Sequence, residues 1–127
     1  MIEKDLLTEK VIGCAIEVHR ALGAGLLEST YQTCLSQELT LNKIKFKLEV
    51  QLPIIYKGFN IDGGYRIDIL VEDQLILELK AVEEIKNIHV AQLLTYLKLF
   101  KIKTGLLINF NRGKISRWHQ KAFFVKK

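Results

Sequence analysis

After Asn42 the spacing of apolar residues changes from helical to alternating, and it changes back only near Asn87. A chain with that order must lay helices against a sheet. The first helix is predicted over residues 4–22. Leu7, Val11, Cys14, Val18 and Leu22 recur there at helical spacing, while Glu9, Glu17 and Arg20 sit elsewhere. Gly23-Ala24-Gly25 ends it in a tight turn. A second helix over 26–42 has Leu27, Tyr31, Cys34 and Leu35 as its inner face. Alternation then predicts strands over 46–56, 65–71 and 75–81. Pro53 marks an edge or bulge in the first, and Glu72-Asp73-Gln74 is a short loop joining the other two. Asn87 is the expected N-cap of a helix reaching residue 101, with Val90, Leu93, Leu94, Leu97 and Phe100 as its apolar stripe. The apolar run 104–110 reads as a buried strand, Asn111-Arg112-Gly113 as a turn, and 114–119 as a last strand. The order α-α-β-β-β-α-β-β is an α/β arrangement around a mixed sheet. With no repeat or linker and Pro53 as the only proline, residues 1–127 are expected to form one domain.

Hydrophobic residues make up 49% and charged residues 26%, which provides for a sizeable core and excludes a disordered chain. The net charge is +5, and basic residues thicken toward the C-terminus from Lys98 to Lys127. A phosphate-bearing partner suits that excess. Cys14 and Cys34 are too far apart for a zinc knuckle. On apolar helix faces they are expected to be free thiols, as in a reducing cytoplasm. The opening MIEKDLLTEK has no secretory apolar region, and no apolar run is long enough for a bilayer. A cytoplasmic location without membrane contact is the expectation.

The second and third strands carry the chemistry. Every second strand residue shares a face, so Arg66, Asp68 and Leu70 line one face and Ile76, Glu78 and Lys80 another. If residues 72–74 form a three-residue loop, Val71 pairs with Leu75 and Asp68 falls opposite Glu78. Two like charges opposite each other are destabilising. A divalent cation such as Mg²⁺ or Mn²⁺ reverses that sign, and Lys80, one step along, would act on an attacking hydroxide or a phosphate. A register shifted by two residues would instead place Arg66 against Glu78 as an ordinary ion pair.

Helical residues offer helpers, each with a structural alternative. Gly25, Glu28 and Tyr31 are spaced by three on the second helix's first turns. A glycine there allows close approach of backbone or ligand. Glu28 either supplies a third carboxylate or, with Gly25 as N-cap, caps its own helix from N3. Gln92 and Tyr96, four apart, share a helix face. Either both point at the site or the tyrosine is simply satisfied by a neighbour. His19 is either an extra ligand or a boundary histidine, and His89 and His119 have no evident role. The run from Arg117 to Phe124 interleaves basic and aromatic residues, which suits either nucleic acid or terminal packing.

Together these segments resemble the bacterial GxxExxY proteins. The resemblance is carried by Gly25-Leu26-Leu27-Glu28-Ser29-Thr30-Tyr31, Tyr65-Arg66-Ile67-Asp68, Glu78-Leu79-Lys80, Gln92-Leu93-Leu94-Thr95-Tyr96 and Gly105-Leu106-Leu107-Ile108-Asn109-Phe110. The spacing of Gln92 and Tyr96 is similar to a motif of RecB-type nucleases. That family is placed among PD-(D/E)XK nucleases, which implies a restriction-endonuclease-like αβββαβ core. The resemblance implies Asp68 and Glu78 as metal ligands, Lys80 as the catalytic lysine, Glu28 as the acid of the preceding helix, and Gln92 and Tyr96 as helical helpers. Ile67 stands where the superfamily pattern has proline.

The expectation is a metal-dependent nuclease acting on DNA. Asp68 and Glu78, with the Leu79 carbonyl, would hold Mg²⁺ or Mn²⁺, and Glu28 would hold a second metal or orient water. The alternatives are a nucleic-acid-binding module with weak catalysis, or a protein-interaction subunit in which Arg66–Glu78 is an ion pair and Glu28 a cap. A homodimer would give so small a domain two sites, as in small resolvases and restriction enzymes.

Overall fold

The computed structural model describes residues 6–61, 63–111 and 122–126. Two helices, α1 (Leu6–Leu22) and α2 (Glu28–Leu41), precede β1 (Phe46–Gln51). Then come β2 (Ile54–Tyr56), β3 (Phe59–Ile61), β4 (Arg66–Val71) and β5 (Leu75–Lys80). Helix α3 (Asn87–Phe100), β6 (Thr104–Asn109) and β7 (Ala122–Lys126) follow. Strands β1-β4-β5-β6-β7 form one sheet in that spatial order, while β2 and β3 pair with each other. Among the described strands only β5 and β6 run parallel, and α3 is the crossover that such a pair requires. The α/β class and the mixed sheet expected from the sequence are therefore present. No helix among the described residues is long and apolar enough to cross a membrane.

The sheet separates two cores. Helices α1 and α2 cover one face, burying Val11, Cys14, Val18, Tyr31, Leu35 and Leu39 against Ile69, Leu75, Leu77, Leu79 and Ile108. Helix α3 covers the other, where Leu93, Tyr96 and Leu97 meet Ile76, Leu107 and Ile67. Alternation along β5 therefore places Glu78 and Lys80, like Ile76, on the α3 face. Gly105 allows α3 to lie close, since a Cβ there would come within 2.8 Å of a Leu93 methyl. Both cysteines are free, with Cys14 buried and Cys34 partly so.

Several boundaries differ from the sequence reading for local reasons. The strand expected over 46–56 is broken at Leu52–Pro53, and its second half folds back as the unforeseen β2–β3 ribbon. Lys57 and Gly58 both have positive φ, the geometry of a two-residue hairpin turn. Leu27, expected inside, is 73% exposed because it is the N-cap residue of α2. Leu94 is 43% exposed, and Tyr96 takes its place in the buried stripe of α3. The N-cap of α3 is Lys86, not Asn87; its N–H donates to the His89 imidazole at 3.0 Å. The expected strand over 114–119 lies outside the described residues, as do residues 117–121 of the basic and aromatic run. Residues 122–124 of that run belong to β7, antiparallel to β6.

Tyr31 ties α2 to the sheet. Its ring stacks on Phe110 with centroids 4.4 Å apart. Its hydroxyl donates to the Gly23 carbonyl at 2.6 Å and accepts from the Leu26 N–H at 3.2 Å, pinning the α1–α2 loop. Gly25 sits in that loop with φ +100° and no described protein atom near where a Cβ would be, so its backbone angle serves the turn and no other described segment of the chain approaches it closely. Tyr31→Phe keeps the stack and removes both hydroxyl contacts. It is expected to lower stability by about 1–2 kcal/mol in urea denaturation with the fold retained; an unchanged midpoint would mean the loop does not need the hydroxyl.

Candidate active site

The β4–β5 ladder stops short of the end of both strands. Val71↔Leu75, Leu70↔Ile76 and Ile69↔Leu77 are paired as expected from a three-residue turn. The next rung would join Asp68 to Glu78. There the side chains take over the backbone bonding: the Asp68 N–H donates to Glu78 Oε2 at 2.9 Å, and the Leu79 N–H donates to Asp68 Oδ2 at 2.8 Å. The β1 side is also interrupted, for Leu48↔Ile69 and Val50↔Ile67 flank an unpaired Glu49 whose φ is +54°. Gln32 on α2 reaches the same rung and donates to the Asp68 carbonyl at 3.1 Å. The end of β5 is held by β6 instead, through Glu78↔Leu107, Leu79↔Ile108 and Lys80↔Asn109.

This arrangement brings together two carboxylates and a lysine. Arg66 pairs with Gln51 across the ladder and lies 3.5 Å from Glu49, so the alternative register that set Arg66 against Glu78 does not occur. Glu78 is only 5% exposed. Burial, and next the charge of Asp68, push its carboxyl up to about 8, while the Asp68 N–H and Lys80 oppose the shift. Asp68 is raised as well, chiefly by burial, with the Leu79 N–H and Lys80 pulling it down. A buried Glu78 beside a half-buried Asp68, both raised, is an unmet demand for positive charge.

An oxygen-ligated divalent cation fits that demand. The Leu79 carbonyl adds a donor. One strand residue directs its N–H and C=O to the same side, and the Leu79 N–H points at Asp68. The neighbouring Lys80 carbonyl faces the other way and accepts from the Phe110 N–H at 2.9 Å.

Glu28 stands near but is engaged elsewhere. It is the first helical residue of α2, after Leu27 as N-cap, so the N3 capping role does not apply. Its Oε2 accepts from the Ala81 N–H at 3.1 Å, just beyond the end of β5. No three His, Cys, Asp or Glu side chains converge on one ion position among the described residues, while the charge of Glu28 still acts on both Asp68 and Glu78. Gln92 Nε2 donates to the Tyr96 hydroxyl at 3.0 Å. Burial, then the charges of Glu78 and Asp68, raise the Tyr96 phenol, which places this pair in the electrostatic reach of the carboxylates. His19 is 3% exposed, on the α1–α2 side of the sheet with its ring 6.4 Å from Phe110. It belongs to the core and not to the cleft. His119 lies outside the described residues.

Two positioning groups were not foreseen. Gln32 is four residues after Glu28, and that helical spacing was a usable signal. Asn109, 1% exposed, closes an apolar run. Its carboxamide accepts from the Val82 and Asn111 N–H groups, both at 3.1 Å, and donates to the Val82 carbonyl at 2.8 Å. It thereby fixes the chain leaving Lys80.

A family model described as the PD-(D/E)XK nuclease superfamily matches residues 5–121. No curated protein and no solved structure gives a match.

The raised Glu78 carboxyl makes stability depend on pH. The folded chain binds this proton more tightly than the unfolded one, so the contribution is complete below the ordinary value of 4.5 and is lost as pH rises through about 8. Glu78→Gln is expected to match wild type near the ordinary carboxylate value. In EDTA at alkaline pH it should exceed wild type by up to a few kcal/mol in urea denaturation. Parallel curves for the two proteins across that range would contradict the assignment of the proton to Glu78.

Proposed function

Because the chain belongs to the PD-(D/E)XK nuclease superfamily, we propose that it is a metal-dependent nuclease that hydrolyses phosphodiester bonds in DNA. The observation that carries this reading is the opened β4–β5 rung, where Asp68, Glu78 and Lys80 meet beside Tyr96. Asp68 and Glu78 would hold Mg²⁺ or Mn²⁺, which when bound supplies positive charge to a phosphate oxygen and acidifies a water.

Hydrolysis joins a water oxygen to phosphorus, breaks one ester P–O bond and leaves a proton on the departing oxygen. Lys80 shares the Glu78 face of β5; its ammonium orients the attacking water and offsets the charge that builds on phosphorus. Tyr96 keeps its proton at neutral pH as an ordinary phenol does, and burial and the carboxylates push it further in that direction. With its oxygen accepting from Gln92, its O–H is available to donate to a phosphate oxygen. Glu28, released from the Ala81 N–H, would reach toward a water or a second cation at the same end of the sheet.

One observation favours a second reading, a nucleic-acid-binding module with weak catalysis: Glu28 is spent on backbone in this arrangement. Retention of DNA in Ca²⁺ with no cleavage in Mg²⁺ or Mn²⁺ would select it.

Wild type is expected to bind Mn²⁺ in calorimetry and to cut plasmid or single-stranded DNA. Asp68→Ala and Lys80→Ala should each reduce cutting by roughly a hundredfold or more while retaining the wild-type circular dichroism. Undiminished cleavage by both variants would overturn the assignment.

A further inference from the structure

The β2–β3 ribbon is a two-stranded sheet with no partner strand among the described residues. Its register pairs Ile54 with Ile61 and Tyr56 with Phe59, so these four side chains share one face. That face is open: Tyr56 is 61% exposed and Phe59 is 70% exposed. A lone two-stranded ribbon is marginal in water, and an apolar face on it needs cover. The only charge between Ile54 and Ile61 is Lys57, whose ammonium lies 5.4 Å from the centre of the Tyr56 ring.

The ribbon is continuous with the candidate cleft. It prolongs the β1–β4 ladder past its last rung, Gln51↔Arg66, through the Leu52 N–H bonded to the Tyr65 carbonyl at 2.9 Å. Arg66 is two residues from Asp68, and the end of β5 bearing Lys80 lies at this same end of the sheet. Tyr65, itself exposed, is within electrostatic reach of the Tyr96 hydroxyl. Aromatic faces with a cation at the tip thus lead away from the carboxylates over at most roughly 23 Å, counting strand rise from Glu49 to Tyr56.

We propose that this ribbon is a stacking platform for unpaired bases, so that the substrate strand runs from the Asp68–Glu78 cleft onto Tyr56 and Phe59. This rests on the nuclease reading and narrows its substrate to DNA with a single-stranded portion at the cut. Aromatic faces stack on any base, and Lys57 offers its charge to the phosphate between stacked nucleotides. Duplex DNA buries its base faces and cannot use such a platform.

The test compares wild type with the paired variant Tyr56→Ala/Phe59→Ala and with Tyr56→Phe/Phe59→Trp, all as full chains. Fluorescence anisotropy in EDTA reads affinity for a labelled single-stranded oligonucleotide and for a blunt duplex. Hydrolysis of a small aryl phosphodiester in Mn²⁺ reads the cleft alone. The alanine pair is expected to lose about tenfold or more in affinity for the single strand. It should change little on the duplex and keep wild-type aryl ester hydrolysis, and the aromatic pair should bind the strand as wild type does. Undiminished strand binding by the alanine pair overturns the platform. A fall in sedimentation mass without loss of strand binding also overturns it and assigns the face to a second copy of the chain. Absence of aryl ester hydrolysis in wild type itself would count against the nuclease reading, independently of the ribbon.

Discussion

The rung at Asp68 and Glu78 is where the backbone gives up its own pairing. Two N–H groups that a continuous ladder would have satisfied with carbonyls are satisfied by carboxylates. Much follows from that exchange. The acids are fixed by main chain on both strands, so they do not have to find each other as free side chains. The β4–β5 pairing ends before the rung, and strand geometry directs the Leu79 carbonyl to the same side as its N–H. Sheet bonding for the end of β5 falls to β6. The structure accepts a buried and a half-buried acid in one place because the backbone of each strand is used to hold the other's side chain.

Both faces of the sheet contribute to this arrangement. On one side, α2 offers Glu28 to the Ala81 N–H and Gln32 to the Asp68 carbonyl, two points four residues apart along one helix. On the other, α3 presents Gln92 and Tyr96. The helices differ in how they are secured. Helix α2 is fixed by the stacking of Tyr31 on Phe110 and by the loop that Tyr31 pins. Helix α3 lies tight on β6 because Gly105 leaves room for Leu93. In each case a residue within or just after the strand that braces β5 sets the helix beside the cleft, Gly105 inside β6 for α3 and Phe110 just after it for α2.

The sequence disclosed the layers and the central hairpin, because periodicity is imposed by packing and three-residue turns fix register. It therefore located Asp68, Glu78 and Lys80 on the same face. It was less informative where one residue answers to two demands. Leu27 looked internal by spacing, yet the helix begins one residue later and leaves it outside. Tyr96 looked peripheral by polarity, yet a ring with a bonded hydroxyl is buried as readily as a leucine. Gly25 is needed for its backbone angle, which spacing cannot distinguish from close approach. The β2–β3 ribbon is encoded by Lys57-Gly58 between Ile54-Ile55-Tyr56 and Phe59-Asn60-Ile61, a turn signal weaker than the break at Pro53 because lysine does not favour a positive φ. Glu28 was legible as an acid near the site. Its hold on Ala81 depends on where two distant segments meet, and no local pattern encodes that.

The reliance of β5 on β6 has a consequence for how the protein comes into being. Strands β4 and β5 and their acids are synthesised before β6, which follows only after α3. Until β6 arrives, Glu78, Leu79 and Lys80 belong to a strand end with no neighbour, and Phe110 is absent from its place against Tyr31. Contacts of such long sequence separation close late in folding. A growing or half-folded chain thus carries Asp68, Glu78 and Lys80 without their geometry, and the candidate site is assembled only once β6 has been made.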